Sequence, residues 1–194
     1  MTADLTRHSD QDLAILARVD REDAYRELLH RHKAGVYRLI VQQIGDADEA
    51  LDLTQESFVA GFAAIDRYDG DRPFRTWMAR IALNKCRDWA RRRRVRAFFA
   101  RALPLDSAHH VASDGPAPDA EAADKRELAR VRGAIDRLPQ NLREVLLLRG
   151  IDDVSQAETA LILRVSEKTV ETRLYRARTK LRELLAGPSA SARD

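Results

Sequence analysis

Two helix starts set a short interval apart constrain the C-terminal part of this chain more tightly than any other feature. In the segment 155–185, SQAETALILRVSEKTVETRLYRARTKLRELL, Ser155 and Glu158 form the S-x-x-E pattern of a capping box opening one short helix. Ser166 opens a second helix, which Gly187-Pro188 ends. Ala160, Leu163, Val165, Val170 and Leu174 fall where two helices joined by a tight turn bury a shared apolar face. This is a helix-turn-helix. Lys168, Thr169, Glu171, Thr172, Arg173, Tyr175, Arg176 and Arg178 are left to the remaining surface of the second helix. Lys and Arg there can reach phosphates, while Thr, Glu, Tyr and Arg can meet base edges in a major groove. The alternative is a helical hairpin whose charged face is merely solvated.

The distribution of charge bears on that choice. Charged residues make up 34% of the 194 residues and the formal net charge is +3, so the excess is small but local. Arg80, Lys85, Arg87, Arg91, Arg92, Arg93, Arg94, Arg96 and Arg101 crowd one stretch, and Asp106, Asp114, Asp119, Glu121 and Asp124 make the next one acidic. A basic cluster of this density attracts polyanions, unless it is a solvated helix end. The single cysteine, Cys86, excludes an internal disulfide and a Cys-rich zinc site. With no long apolar run and no signal-peptide pattern near Met1, the chain is expected to be cytoplasmic, soluble and not inserted in a membrane.

Nearly every segment has helical period. Ser9 and Asp12 cap an opening turn with an apolar stripe of Leu13, Ile15, Leu16 and Val19. A helix from about Ala24 buries Tyr25, Leu28, Leu29, Val36, Leu39 and Ile40 before Gly45-Asp46 breaks it. Asp46 and Glu49 frame the next, one long amphipathic helix through Leu53, Phe58, Val59, Phe62 and Ile65 that ends at Arg67-Tyr68-Asp69-Gly70. Asp71 and Pro73 begin another, with Phe74, Trp77, Met78, Ile81, Ala82 and Trp89 at helical spacing. Residues 101–122 hold prolines, Gly115 and small polar residues without an apolar period, and read as a flexible linker. Leu128, Val131, Ile135 and Leu138 then form a stripe, and Pro139 starts a helix filled by Leu142, Val145, Leu146 and Leu148 before Gly150. The expected class is therefore all-α: a helical domain over 1–100, a linker, a helix-turn-helix domain over 123–187, and a disordered tail over 188–194. Domains tethered in this way are expected to tumble semi-independently unless a partner clamps them.

Taken in order, DEALDLTQESFVAGFAAIDRYD, FRTWMARIALNKCRDWARRRR, the linker, LPQNLREVLLLRG and TVETRLYRARTKL resemble an extracytoplasmic-function sigma factor of bacterial RNA polymerase, group IV of the sigma-70 family. The likeness spans both domains. It implies that the first domain, region 2, docks on the clamp of core polymerase and melts and reads the −10 promoter element. It implies that the second, region 4, reads the −35 element and holds the flap.

The resemblance carries roles onto particular positions. Asp48, Asp52, Leu53, Gln55, Glu56 and Phe58 match the acidic helix that meets the clamp, where carboxylates beside apolar residues suit a basic partner with an apolar seam. Arg67, Tyr68, Arg72, Phe74, Arg75 and Thr76 match the loop that captures a flipped base. Tyr68 and Phe74 would supply aromatic surface, and Arg72, Arg75 and Arg80 phosphate contacts. Trp77 lies on the apolar stripe and reads as core rather than platform. Asn84, Arg87, Asp88, Arg91 and Arg92 follow on the same helix around the −10 element, Asn84 as a base-edge reader and Asp88 as a group that can orient an arginine. For the −35 element the matching positions are Arg143, Ser166, Lys168, Thr169, Glu171, Thr172, Arg173, Tyr175 and Arg176. Glu171 departs from the basic residue often found there, and Arg164 stands where the family's turn usually has glycine, at a cost of about 1 kcal/mol if the turn is left-handed.

Two other classes were weighed. A response-regulator output domain shares such a helix-turn-helix, but its receiver would need alternating strands and helices, which residues 1–101 do not show. A metalloenzyme would need Glu27, His30 and His32 to converge, yet histidines two apart on a helix do not share a face, so they read as exposed polar positions. His109-His110 has no ligand partner near it. No Gly-rich phosphate loop or nucleophilic triad is present. The expectation is a promoter-directing factor with no catalysis, cofactor, metal or small-molecule substrate, whose partners are core polymerase, promoter DNA and an anti-sigma factor.

Overall fold

The computed structural model describes residues 5–102, 119–150 and 154–186, so most of the expected linker, the expected tail and His109-His110 lie outside the described residues. Among the described residues every regular element is a helix. An N-terminal unit is built from α1 (Asp10–Ala17), α2 (Glu22–Ile44), α3 (Ala47–Phe62) and α4 (Phe74–Ala102). A C-terminal unit comprises α5 (Asp119–Asp136), α6 (Gln140–Gly150), α7 (Gln156–Leu163) and α8 (Glu167–Ala186). Helix α5 begins inside the segment read as linker, where Ala120, Ala122 and Ala123 are strong helix formers.

Local chemistry sets the boundaries. Ser9 with Asp12, and Ser155 with Glu158, close reciprocal capping boxes, and the Asp46 side chain accepts from the Glu49 N–H. Gly45 closes α2 at φ 79°, a left-handed conformation that suits glycine. Arg164 closes α7 at φ 54° and ψ 50°, the left-handed turn expected there, made without glycine. One boundary differs from expectation: α3 stops at Phe62 rather than running to Arg67. A 3-10 turn, Ile65–Arg67, follows and lowers Ile65 and Tyr68 into the core.

Phe74, Leu13, Leu28, Ile40, Leu53, Met78 and Leu83 are fully buried in the N-terminal unit. Gly61 lets α3 and α4 close on one another, since a Cβ there would sit 2.8 Å from Met78 Sδ. The helix-turn-helix core of Val145, Ala160 and Val170, with Leu163, Val165 and Leu174 against it, contains the apolar residues read from the spacing. Several stripe positions do not bury as expected: Ile15, Val19 and Leu128 are exposed, and Leu147 is buried while Leu146 is only half-buried.

The expectation of two semi-independent domains is corrected by their packing. Leu148 of α6 and Ile162 of α7 belong to the same buried cluster as Trp77, Met78 and Leu39, and Val154 and Leu163 lie against it. A seam of this kind resists separation because opening it returns apolar surface to water. Arg132 also crosses the seam, donating to the Val41 carbonyl at 2.9 Å.

Candidate nucleic-acid and polymerase interfaces

The turn from the 3-10 segment into α4 shapes a small basic pocket. Tyr68 donates its hydroxyl to the Arg72 carbonyl at 2.6 Å and receives Arg18 on its own carbonyl at 2.7 Å, which fixes the loop. Arg67, Tyr68, Asp69, Arg72, Thr76, Trp77 and Arg80 then enclose about 210 Å³ together with Leu161 of α7. That is below the about 300–1,000 Å³ of pockets that take drug-sized ligands, and nearer to one planar ring system. Thr76 is buried and its Oγ1 has no hydrogen-bond partner. Burial, with Arg164 and Arg72 nearby, holds the Arg80 guanidinium below its ordinary value, while Asp69 pairs with Arg72 at 3.1 Å in the same wall.

The aromatic surface expected here needs correction. Tyr68, Phe74 and Trp77 are 5%, 1% and 7% exposed, and their rings sit 5.3 to 5.4 Å apart in one cluster. Phe74 is core, as Trp77 was expected to be, and Tyr68 lines the pocket without offering an open face. Further along α4, Asn84 accepts from Arg87 at 2.9 Å, and Asp88 holds Arg91 at 2.8 Å, the orienting contact expected of it. Arg91 and Arg92 are exposed. Arg75 and Arg87 are not free: Arg75 reaches Glu158 at 2.5 and 3.1 Å, and Arg87 clasps Glu144 with Nε at 2.9 Å and Nη2 at 2.7 Å.

On the C-terminal unit, α8 turns its polar face outward. Ser166, Lys168, Glu171, Thr172, Tyr175 and Arg176 are exposed, and Lys168, Thr169, Thr172, Arg173 and Arg176 line a shallow groove completed by Asn141 and Leu142 of α6. Glu171 pairs with Lys168 at 3.0 Å, so the carboxylate that departs from the family pattern is partly neutralised by its neighbour. Arg143 is not part of this groove. It lies 3.7 Å from Asp136 and lines the cavity between the units with Cys86 and Trp89, while Asn141 takes the place beside α8. Two residues separate these positions, enough to put them on different faces of the helix, and sequence spacing alone does not say which face meets α8.

The acidic helix α3 exposes Asp48, Asp52, Gln55 and Glu56 on one side. Leu53 and Phe58, expected beside them, are buried at 2% and 3%. Leu51, which the sequence reading passed over, and Val59, which it set on the apolar stripe with Leu53 and Phe58, are the exposed apolar residues on that side, placed one turn either side of Gln55. Trp89 donates to Glu49 at 2.9 Å and Lys85 pairs with Glu56 at 3.1 Å, tying α4 to this helix.

The histidine cluster is also revised. His30 is exposed, but His32 is half-buried, 2.7 Å from Asp10, and Glu27 holds Arg31 at 2.8 Å. Among the described residues no group of three potential metal ligands occurs, and no helix is long and apolar enough to cross a membrane. Burial pushes the Cys86 thiol up to about 12, so it stays protonated.

An all-helical chain with a basic pocket on one unit and an outward helix-turn-helix face on the other has the makings of a two-site DNA-binding protein. Residues 28–96 match Sigma-70 region 2, and residues 128–181 match Sigma-70, region 4. The chain is 40% identical to RNA polymerase sigma factor CnrH of Cupriavidus metallidurans over 93% of this chain and 96% of that protein. It is 32% identical to the ECF RNA polymerase sigma factor SigW of Bacillus subtilis over 84% and 90% of the two. The solved structure of CnrH in complex with the cytosolic domain of CnrY aligns with a TM-score of 0.68 at 33% identity, over 93% of this chain and 99% of that one. The chain belongs to the sigma-70 family of RNA polymerase sigma factors, and within it to the extracytoplasmic-function kind. It is an alternative sigma factor, a transcription initiation factor that directs RNA polymerase to promoters.

Proposed function

We propose that this chain is a group IV sigma factor acting in the cytoplasm, in which residues 1–100 carry region 2 and residues 123–187 carry region 4. The pocket formed by Arg67, Tyr68, Arg72, Thr76, Trp77 and Arg80 carries the reading: it is basic, about 210 Å³ in volume, and has an unpartnered hydroxyl in its wall. A base flipped from the −10 element would enter with its polar edge toward the Thr76 hydroxyl and place its phosphates on the surrounding arginines, offsetting the few kcal/mol of unstacking. Asn84, Arg87, Arg91 and Arg92 would extend this contact along α4, with Asp88 positioning Arg91.

Region 4 would read the −35 element through Thr172, Tyr175 and Arg176, with Lys168, Thr169 and Arg173 toward phosphate, and hold the flap of polymerase. The stripe of Asp48, Leu51, Asp52, Gln55, Glu56 and Val59 would meet the clamp, the exposed apolar pair replacing the buried Leu53 and Phe58. The polymerase supplies the chemistry, and the sigma factor supplies recognition and helps open the duplex. The solved relative CnrH is bound to the cytosolic domain of CnrY, which supports an anti-sigma factor as a further partner of this chain.

Permanganate footprinting with and without core polymerase tests the reading. The chain alone is expected to bind promoter DNA poorly and with steep salt dependence. With polymerase, reactive unpaired bases should appear at the −10 element. Tight sequence-specific binding by the chain alone, with no opening on adding polymerase, would instead make it a conventional helix-turn-helix regulator.

A further inference from the structure

Two of the arginines assigned above to the −10 strand are already occupied, and by carboxylates of the other domain. Glu144 of α6 is 4% exposed, and its two oxygens take the Nε and Nη2 of Arg87 at 2.9 and 2.7 Å. The guanidinium fork presents the same pair of parallel donors to a carboxylate as to a phosphate. Gln140 adds a third donor to Glu144 at 3.0 Å. A carboxylate this deeply buried is costly without a cation, so Glu144 holds Arg87 firmly. Glu158 of α7 takes Arg75 through a single oxygen, Oε1, which accepts from Nη2 at 2.5 Å and from Nε at 3.1 Å. Leu161, also from α7, forms part of the wall of the basic pocket.

We propose that in the free chain region 4 is a built-in competitor of the promoter strand: Glu144 and Glu158 stand in for strand phosphates on Arg87 and Arg75. Docking of region 4 and binding of a melted −10 strand then exclude one another. The inference rests on the −10 assignment made above.

The docked state carries the means of its own release. Docking brings Arg164 toward Arg80 and Arg72, like charges whose proximity, with burial, disfavours the charged form of Arg80. Asp69 of region 2 offsets Arg72 at 3.1 Å, but region 4 adds no carboxylate to Arg80 or Arg164 among the hydrogen bonds and ion pairs described. An incoming polyanion would neutralise it and take Arg75 and Arg87 at the same time. The apolar seam of Leu148, Val154 and Ile162 and the two ion pairs therefore favour closure, and the cluster of Arg72, Arg80 and Arg164 opposes it.

The test uses the full chain with Arg26→Cys and Arg182→Cys, both exposed positions, carrying a donor and an acceptor dye, and with Cys86→Ala, because that thiol lines the cavity between the units and opening would uncover it to label. Energy transfer reports closure, and anisotropy reports affinity for a pool of short random single-stranded DNA. The variant Glu144→Gln with Glu158→Gln should lower energy transfer and tighten oligonucleotide binding. If the open form is about a tenth of the parent population, the gain is about tenfold. Glu158→Gln alone keeps the capping box, which accepts Gln at that position, and should shift both readouts in the same direction if the double variant does not fold.

Unchanged transfer and unchanged affinity in the variants would overturn the competition. The −10 assignment would still stand in that case if Arg75→Ala with Arg87→Ala weakened oligonucleotide binding. Opening without any gain in affinity, and no loss on removing the two arginines, would overturn both together.

Discussion

Arg176 stands exposed on α8 at the edge of the groove shared with Lys168, Thr172 and Arg173. Replacing it should not disturb the fold, because surface changes away from caps and core stay within about 0.5 kcal/mol. Arg176→Ala is expected to lower promoter-directed transcription by about 1–3 kcal/mol, some tenfold to a hundredfold, and to relax preference within the −35 element. In vitro transcription on a set of single-base promoter variants checks this, and a loss confined to the −10 element would contradict it. The carboxylates on Arg75 and Arg87 were not legible at this scale. Glu158 and Glu144 lie 83 and 57 residues away in sequence, and no local pattern connects such positions. Each also had a sufficient local explanation: Glu158 as half of a capping box, Glu144 as one polar residue on an amphipathic helix.

Among the elements, α3 shows most clearly what periodicity resolves and what it leaves open. The Asp46 cap, the acidic first turn and the Gly45 stop are local signals, and the helix starts where they put it. Which side of the helix faces inward depends on α2 and α4, so Leu53 and Phe58 went to the core while Leu51 and Val59 stayed outside. The same reasoning applies to Arg143 and Asn141 on α6, where a neighbouring helix decides between positions two residues apart. Asp52→Lys with Glu56→Lys is expected to weaken core-polymerase binding by at least tenfold while far-UV circular dichroism stays unchanged. Equal affinity of parent and variant for core polymerase, measured by competition, would remove α3 from the clamp interface.

The molecule as a whole departs furthest from the sequence reading, because the two helical units share a core. Leu148, 1% exposed, belongs to the region 4 helix α6 yet lies in the same cluster as Met78 and Trp77 of region 2. Parent chain should therefore unfold in one calorimetric transition, whereas Leu148→Ala should lose about 2–5 kcal/mol and separate the two units into distinct transitions. A single transition at an unchanged midpoint in the variant would show that the seam lies outside the cooperative unit.

That seam joins two kinds of force that both weaken in the cold. Burial of Leu148, Val154 and Ile162 weakens on cooling, because the hydration of apolar surface carries a large heat capacity. The desolvation cost of the carboxylate–guanidinium contacts also rises as temperature falls. Both changes loosen closure in the same direction, so, on the proposed competition, the chain is expected to close more tightly on itself in the warm and to free Arg75 and Arg87 more readily in the cold.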